Sequence, residues 1–190
     1  MEARYEVIVV GGGHAGCEAA AAAARLGCRT LLLTPELSRV GQMSCNPAIG
    51  GVAKGVVARE VDALGGVMGR ATDASRIHFR MLNRSRGPAV WGPRAQCDRG
   101  LYPRHVRRVL DGLPHLDLFQ EFVTGLLVDD GPGGAVGGVV TRGGLTFLAP
   151  SVVVTAGTFL RGRIHVGGAA GVGAGRAGES PSVELAEALE

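Results

Sequence analysis

Residues Tyr5 to Thr34 read YEVIVVGGGHAGCEAAAAAARLGCRTLLLT, and this stretch decides the fold. YEVIVV is β-branched, apolar and too short for a helix, as expected of a strand buried in a parallel sheet. CEAAAAAARLG is almost pure helix former, closed by Gly27 where a helix cap falls. RTLLLT reads as a second strand, so the three pieces make a βαβ unit of about 30 residues with a right-handed crossover. Between the first strand and the helix, Gly11, Gly13 and Gly16 satisfy G-x-G-x-x-G. Each glycine has a task there: a tight turn, backbone approach to a pyrophosphate, and close packing of helix on sheet. The free N–H groups and the positive end of the helix suit phosphate. His14, inside the turn, reads as a residue that caps or lines it and not as a base. Such motifs place an acidic residue about 20 positions on, against a ribose hydroxyl. Here Thr34 ends the second strand and Glu36 follows it, and either suits the contact.

Working outward, 190 residues suffice for one compact core. A hydrophobic fraction of 46% places the chain among globular proteins. No run of about 18 apolar residues and no leader pattern occurs, which reads against a membrane span or signal peptide. Cys17, Cys28, Cys45 and Cys97 form no CxxC pair and no His/Cys ligand spacing, so no metal site and a reduced, cytoplasmic chain are expected. Cys17, Cys28 and Cys97 read as small packed or surface side chains. Net charge is +3, yet nine arginines fall between Arg76 and Arg108 with Asp98 the one acid among them. That segment suits phosphate, on a nucleotide or an RNA backbone, or is a solvated arginine-rich surface. Arg94, Asp98 and Arg99 suit either phosphate binding or a structural ion pair.

Past Thr34 comes GQMSCNPAIGGVAKG, Gly41 to Gly55, a loop with a cysteine, an Asn-Pro turn and the chain's lone lysine. A helix is expected from Gly50 to Leu64, stopped by Gly65-Gly66, then a helix over SRIHFRMLNRSRG, and an amphipathic helix from Leu101 to Leu113. LDLFQ, FVTGLLVDDG, GGVVTRGG and LTFLAP read as strands of a short antiparallel meander. SVVVTAG returns to the parallel sheet at Val152 to Thr155, and SVELAEALE opens a further helix. The fold class is therefore α/β: a Rossmann-like FAD/NAD(P)-binding fold with a parallel sheet plus a small antiparallel β-meander.

The runs GGGHAG, LLLT, GQMSCNPAIGG, EVDALGG (Glu60 to Gly66), GPAV (Gly87 to Val90), RAQCDR (Arg94 to Arg99), FQ with Val123 after it, and GTFLRGRIHVG (Gly157 to Gly167) resemble the MnmG family, also called GidA. The folate-dependent tRNA methyltransferase with FAD, a relative, is expected to lack the HAG turn and the MSCNPAIGG loop. The resemblance implies an FAD-dependent enzyme that works with the GTPase MnmE on C5 of the wobble uridine of tRNA. In that family methylene-tetrahydrofolate gives the one-carbon unit, glycine or ammonia the amine, and NADH the reducing equivalents through the flavin.

Carried over, the resemblance assigns Gly11, Gly12, Gly13, His14, Ala15 and Gly16 to the FAD pyrophosphate, Val123 to the adenine through its backbone, and Ser182 to a further FAD contact. Cys45 matches one of the family's two catalytic cysteines. A thiolate that adds to C6 of a pyrimidine makes C5 nucleophilic, which is why such chemistry needs a cysteine. Its loop is expected to favour the thiolate, with Lys54 and nearby arginines as the candidate cations. Whether Cys45 is nucleophile or acid stays open. Family members are longer and homodimeric, so residues 1–190 read as one FAD-binding domain, the N-terminal portion, without the second catalytic cysteine or the helical C-terminal domain that meets MnmE and tRNA. The alternatives are a non-catalytic FAD- or RNA-binding module, a short paralogue, another FAD-dependent oxidoreductase, or the methyltransferase relative.

Overall fold

Val7–Val10 is four β-branched residues in a row, with no polar face to offer water, and it is stable only with both faces covered. The computed structural model, which describes residues 3–129, 131, 133–168, 171–176 and 178–190, puts it inside a four-stranded parallel sheet. The strand order is Ser151–Val154, Val7–Val10, Thr30–Thr34, Leu116–Gln120. Ile8 lies opposite Leu31, and Val10 lies between Val154 and Leu33.

Because side chains alternate along a strand, this register sorts the sheet's residues into two cores. Val9 and Leu32 face the helices, packing with Ala20, Ala21, Tyr102, Val106 and Leu110. Ile8, Val10, Leu31 and Leu33 face the other way, onto Val123, Val139, Phe147 and Leu185. The helical layer contains His14–Arg25, Val67–Ser75 and Leu101–Asp111; the opposite layer is a meander of Val123–Val128, Val136–Thr141 and Thr146–Leu148, joined by the short helix Val183–Ala188. Alanines let the first helix sit close on the sheet, and Ala20 and Ala21 are fully buried. That helix stops in a Schellman turn: Gly27, at φ +89°, donates to Ala24 O and Cys28 N–H donates to Ala23 O.

Three expectations need correcting. LDLFQ is not part of the meander; it is the fourth parallel strand, Leu116–Gln120, paired along Thr30–Thr34. The arginine-rich segment expected as a helix is the strand Arg76–Leu82. Its residues alternate Arg76, His78, Arg80 against Ile77, Phe79, Met81, a period of two that belongs to a strand. It pairs antiparallel with Gly92–Cys97, which pairs antiparallel with Ala48–Gly50, giving a third sheet. The helix expected from Gly50 begins later, at Lys54, and runs to Ala63 because Gly50 belongs to that sheet. A Cβ at Gly50, where φ is +110°, would lie 1.9 Å from Pro93 O, so only glycine allows the two backbones to meet.

The helix Val67–Ser75 went unread. Its start is held by Glu18 of the first helix, whose carboxylate accepts the N–H groups of Val67 at 2.9 Å and Met68 at 2.6 Å. Glu18 thereby does across space what a capping side chain does locally.

Candidate dinucleotide site

The sheet sets the glycine turn rigidly, since both neighbouring strands bond to it. Gly11 N–H donates to Leu33 O and Thr155 N–H donates to Val10 O, both at 2.8 Å. Thr155 Oγ1 adds bonds to Val10 O and Gly11 O. Gly11 turns at φ +114°, and a Cβ on it would strike Thr155 O at 2.7 Å. One on Gly16 would lie 1.8 Å from Gly11 O, so Gly16 is the glycine that lets helix and turn touch. Gly13 differs: a Cβ there meets nothing within 4 Å. Its open side, and the start of the helix His14–Arg25 that no side chain caps, face a cavity.

That cavity measures ≈ 390 Å³ and lies past the carboxyl ends of Val7–Val10, Thr30–Thr34 and Ser151–Val154, where open α/β sheets bind ligands. Of the residues carried over from the resemblance, Gly11, Gly12, Gly13, His14, Ala15, Val123 and Ser182 line it. Gly16 does not; it packs beneath the turn. Val123 and Ser182 are more than 100 residues from the turn in sequence and meet it here. Ser182 is held by its N–H on Phe159 O, at 2.9 Å.

Thr34 and Glu36 both line the cavity, at different depths. Thr34 is buried below Gly12, whose notional Cβ would meet Thr34 Oγ1 at 2.8 Å. Glu36 is at the exposed edge of the cavity, its carboxylate taken by Ser38 Oγ and, at 2.6 Å, by Arg39 Nε. Arg39 also reaches Glu179, Nη1 to Oε1, at 2.7 Å. Sequence reading missed Arg39, Arg176 and Glu179, all of which line the cavity.

His14 is the turn's titratable group. Burial, then the charges of Lys54 and Arg176, push its pKa down to about 4, so the imidazole is neutral at pH 7. Its ring lies 5.6 Å from that of Tyr102, and its Nε2 is buried without a hydrogen-bond partner among the described residues. A neutral ring with a pKa so low is a poor general base near neutrality.

Cys45 sits exposed on the loop before Ala48–Gly50 and is not among the cavity's lining residues. Arg99 Nη2 donates to its carbonyl oxygen at 2.5 Å. Lys54 Nζ donates to Ala48 O at 3.1 Å, and its field falls on His14. Asp98 starts a helix: its Oδ1 accepts the N–H groups of Gly100 and Leu101 at 2.8 Å, at the head of Leu101–Asp111. These bonds to the ionised form hold its pKa below the usual carboxylate range. Cys17 and Cys97 are buried, and Cys28 is half-buried. Among the described residues no group of three or more His, Cys, Asp or Glu is placed to hold a metal, and no helix is long and apolar enough to cross a membrane.

Comparison with known proteins agrees with this geometry. The family model described as glucose inhibited division protein A matches residues 6–190. The tRNA uridine 5-carboxymethylaminomethyl modification enzyme MnmG of Phocaeicola vulgatus is 52% identical over 189 residues, 100% of this chain and 30% of that protein. GidA of Aquifex aeolicus superposes with a TM-score of 0.91 at 46% identity, over 98% of this chain and 30% of that one. The GidA-related protein of Thermus thermophilus is more distant, with a TM-score of 0.69 at 28% identity over 97% of this chain and 67% of that one. The chain thus spans about a third of the length of the MnmG and GidA relatives it matches. With a glycine turn, sheet and cavity of this form and a match over nearly all its residues, the chain belongs to the glucose inhibited division protein A (MnmG/GidA) family.

Proposed function

We propose that residues 1–190 form the FAD-binding part of a flavoprotein that modifies the wobble uridine of tRNA at C5. The observation that carries this reading is the meeting of the glycine turn, Val123 and Ser182 around one cavity, within a chain of this family. The residues fit a dinucleotide. Gly13 leaves room for a pyrophosphate, the uncapped helix start and the charge of Arg176 favour anions, and the orphaned Nε2 of His14 has hydrogen-bonding capacity to spare. In the proposal Gly11 to Ala15 hold the pyrophosphate, Val123 meets the adenine through its backbone, and Ser182 makes a further contact, while Gly16 packs the helix.

Bound FAD would supply the redox steps, with NADH as reductant. Cys45 would add to C6 of the uridine as a thiolate, or deliver a proton, so that C5 takes the one-carbon unit of methylene-tetrahydrofolate. Arg99, bonded to the Cys45 carbonyl, orients the loop that presents the thiol. MnmE as partner, a homodimer and a cytoplasmic setting complete the reading, all drawn from the family.

Replacing Cys45 by Ser in cells that carry the gene, followed by mass analysis of tRNA nucleosides, tests the catalytic assignment. Loss of the C5-modified wobble uridine at unchanged protein level is expected. Undiminished modification would contradict it.

A further inference from the structure

We propose that Arg176 is a phosphate-binding residue of the cavity and that the Arg39–Glu179 ion pair holds it in position. This rests on the dinucleotide reading of the cavity. Two arginines line that cavity, Arg39 and Arg176. Arg39 is engaged by two carboxylates, Glu36 at 2.6 Å and Glu179 at 2.7 Å. Arg176 has no carboxylate within ion-pair distance among the described residues; its guanidinium lies 5.3 Å from the ring centre of Phe159, another lining residue.

The local geometry explains why that charge is left over. Glu179, three residues on, is the acid best placed to neutralise Arg176, because their backbones are bonded: Glu179 N–H donates to Arg176 O at 3.0 Å, and Gly175 N–H donates to Glu179 O at 3.1 Å. The Glu179 carboxylate points instead across the cavity to Arg39, 140 residues away in sequence. Thr158 Oγ1 on Gly175 O at 2.8 Å and Ser182 N–H on Phe159 O at 2.9 Å fix both ends of this segment to the strand-exit loop after Ser151–Val154. Arg176 is thereby presented opposite the glycine turn, near enough for its charge to bear on His14, the first residue of the helix. An unneutralised guanidinium facing free helix N–H groups is the arrangement that grips a pyrophosphate from two sides.

The test is equilibrium binding to the purified chain with FAD, and with ADP and adenosine as a pair that differs in the pyrophosphate. Arg176→Gln should weaken FAD and ADP about ten- to hundredfold and leave adenosine nearly unchanged. Arg176→Lys should recover part of the loss. Arg39→Gln should weaken FAD less than Arg176→Gln, and the double variant should be no weaker than Arg176→Gln alone, because Arg39 acts only through Arg176. FAD affinity within twofold of the parent in Arg176→Gln, or equal weakening of ADP and adenosine, would overturn the assignment while leaving the flavin reading intact. A parent chain that binds no FAD would overturn both.

Discussion

At the scale of single residues, the glycine turn has two positions closed by packing, Gly11 and Gly16, and one open, Gly13, and His14 adds a titratable group. The imidazole's pKa in the fold, about 4, is below its ordinary 6.5, so the unfolded chain binds a proton in that interval that the folded chain refuses. Stability from this group is present above pH 6.5 and is lost as pH falls toward 4. Between pH 7 and pH 5 the flavin-free parent should lose up to about 2 kcal/mol more than His14→Asn, read from urea unfolding at the two pH values. Equal pH dependence in the two proteins would show that His14 is not held neutral by the fold. Asp98 works in the opposite chemical sense but the same pH direction. Its depressed pKa stabilises the fold above the ordinary carboxylate range, and that contribution fades as acid protonates it.

At the scale of elements, the contacts that set the helix Val67–Ser75 make a clear case. Its first two N–H groups end on the Glu18 carboxylate, from a helix 49 residues earlier. Glu18→Ala should lower stability by about 1–2 kcal/mol, while Glu18→Gln, which keeps an acceptor, should lose less; thermal unfolding of the two variants measures it. Equal loss in both would mean that charge matters and not the bond. The same helix shows why some elements were illegible in sequence. Nine residues between a Gly-Gly pair and an arginine run make a short stretch whose buried side is Val67, Ala71, Thr72 and Ser75, half of it polar, and the cap lies far away along the chain. The strand Val7–Val10 and the alanine helix were legible because continuous burial writes itself into composition. Arg76–Leu82 was misread because its arginine content masked the alternation of Ile77, Phe79 and Met81. Leu116–Gln120 was misread because it lies at the sheet's edge, where Asp117 binds Tyr5 Oη at 2.9 Å, and so shows the half-polar pattern of a meander strand.

For the whole molecule, one sheet with helices on one face and a meander on the other brings three distant segments to its carboxyl edge. The glycine turn follows the second strand in sheet order, Thr155 and Ala156 follow the first, and Val123 comes in from the meander. This part of the site was legible, because the turn has a motif, the strand that leads into Thr155 has a β-branched run, and Val123 came with the family resemblance. Arg39 and Glu179 were not, since an ion pair between residues 140 apart leaves no local mark. Cys45, exposed and outside the cavity lining, lies on the loop before the separate sheet of Ala48–Gly50, Gly92–Cys97 and Arg76–Leu82, so the cavity and the exposed thiol belong to different parts of the fold.

The claim on which the account depends is that the cavity holds FAD, and it is tested by releasing and quantifying flavin from the purified chain after incubation with FAD. A Cβ at Gly13 touches nothing in the protein, so Gly13→Val projects its side chain into the ligand's space without disturbing the turn. The account predicts about one FAD per parent chain, and less than about a tenth of that in Gly13→Val with an unchanged unfolding temperature. A folded parent that retains no flavin, or a Gly13→Val variant that retains as much as the parent, would contradict it.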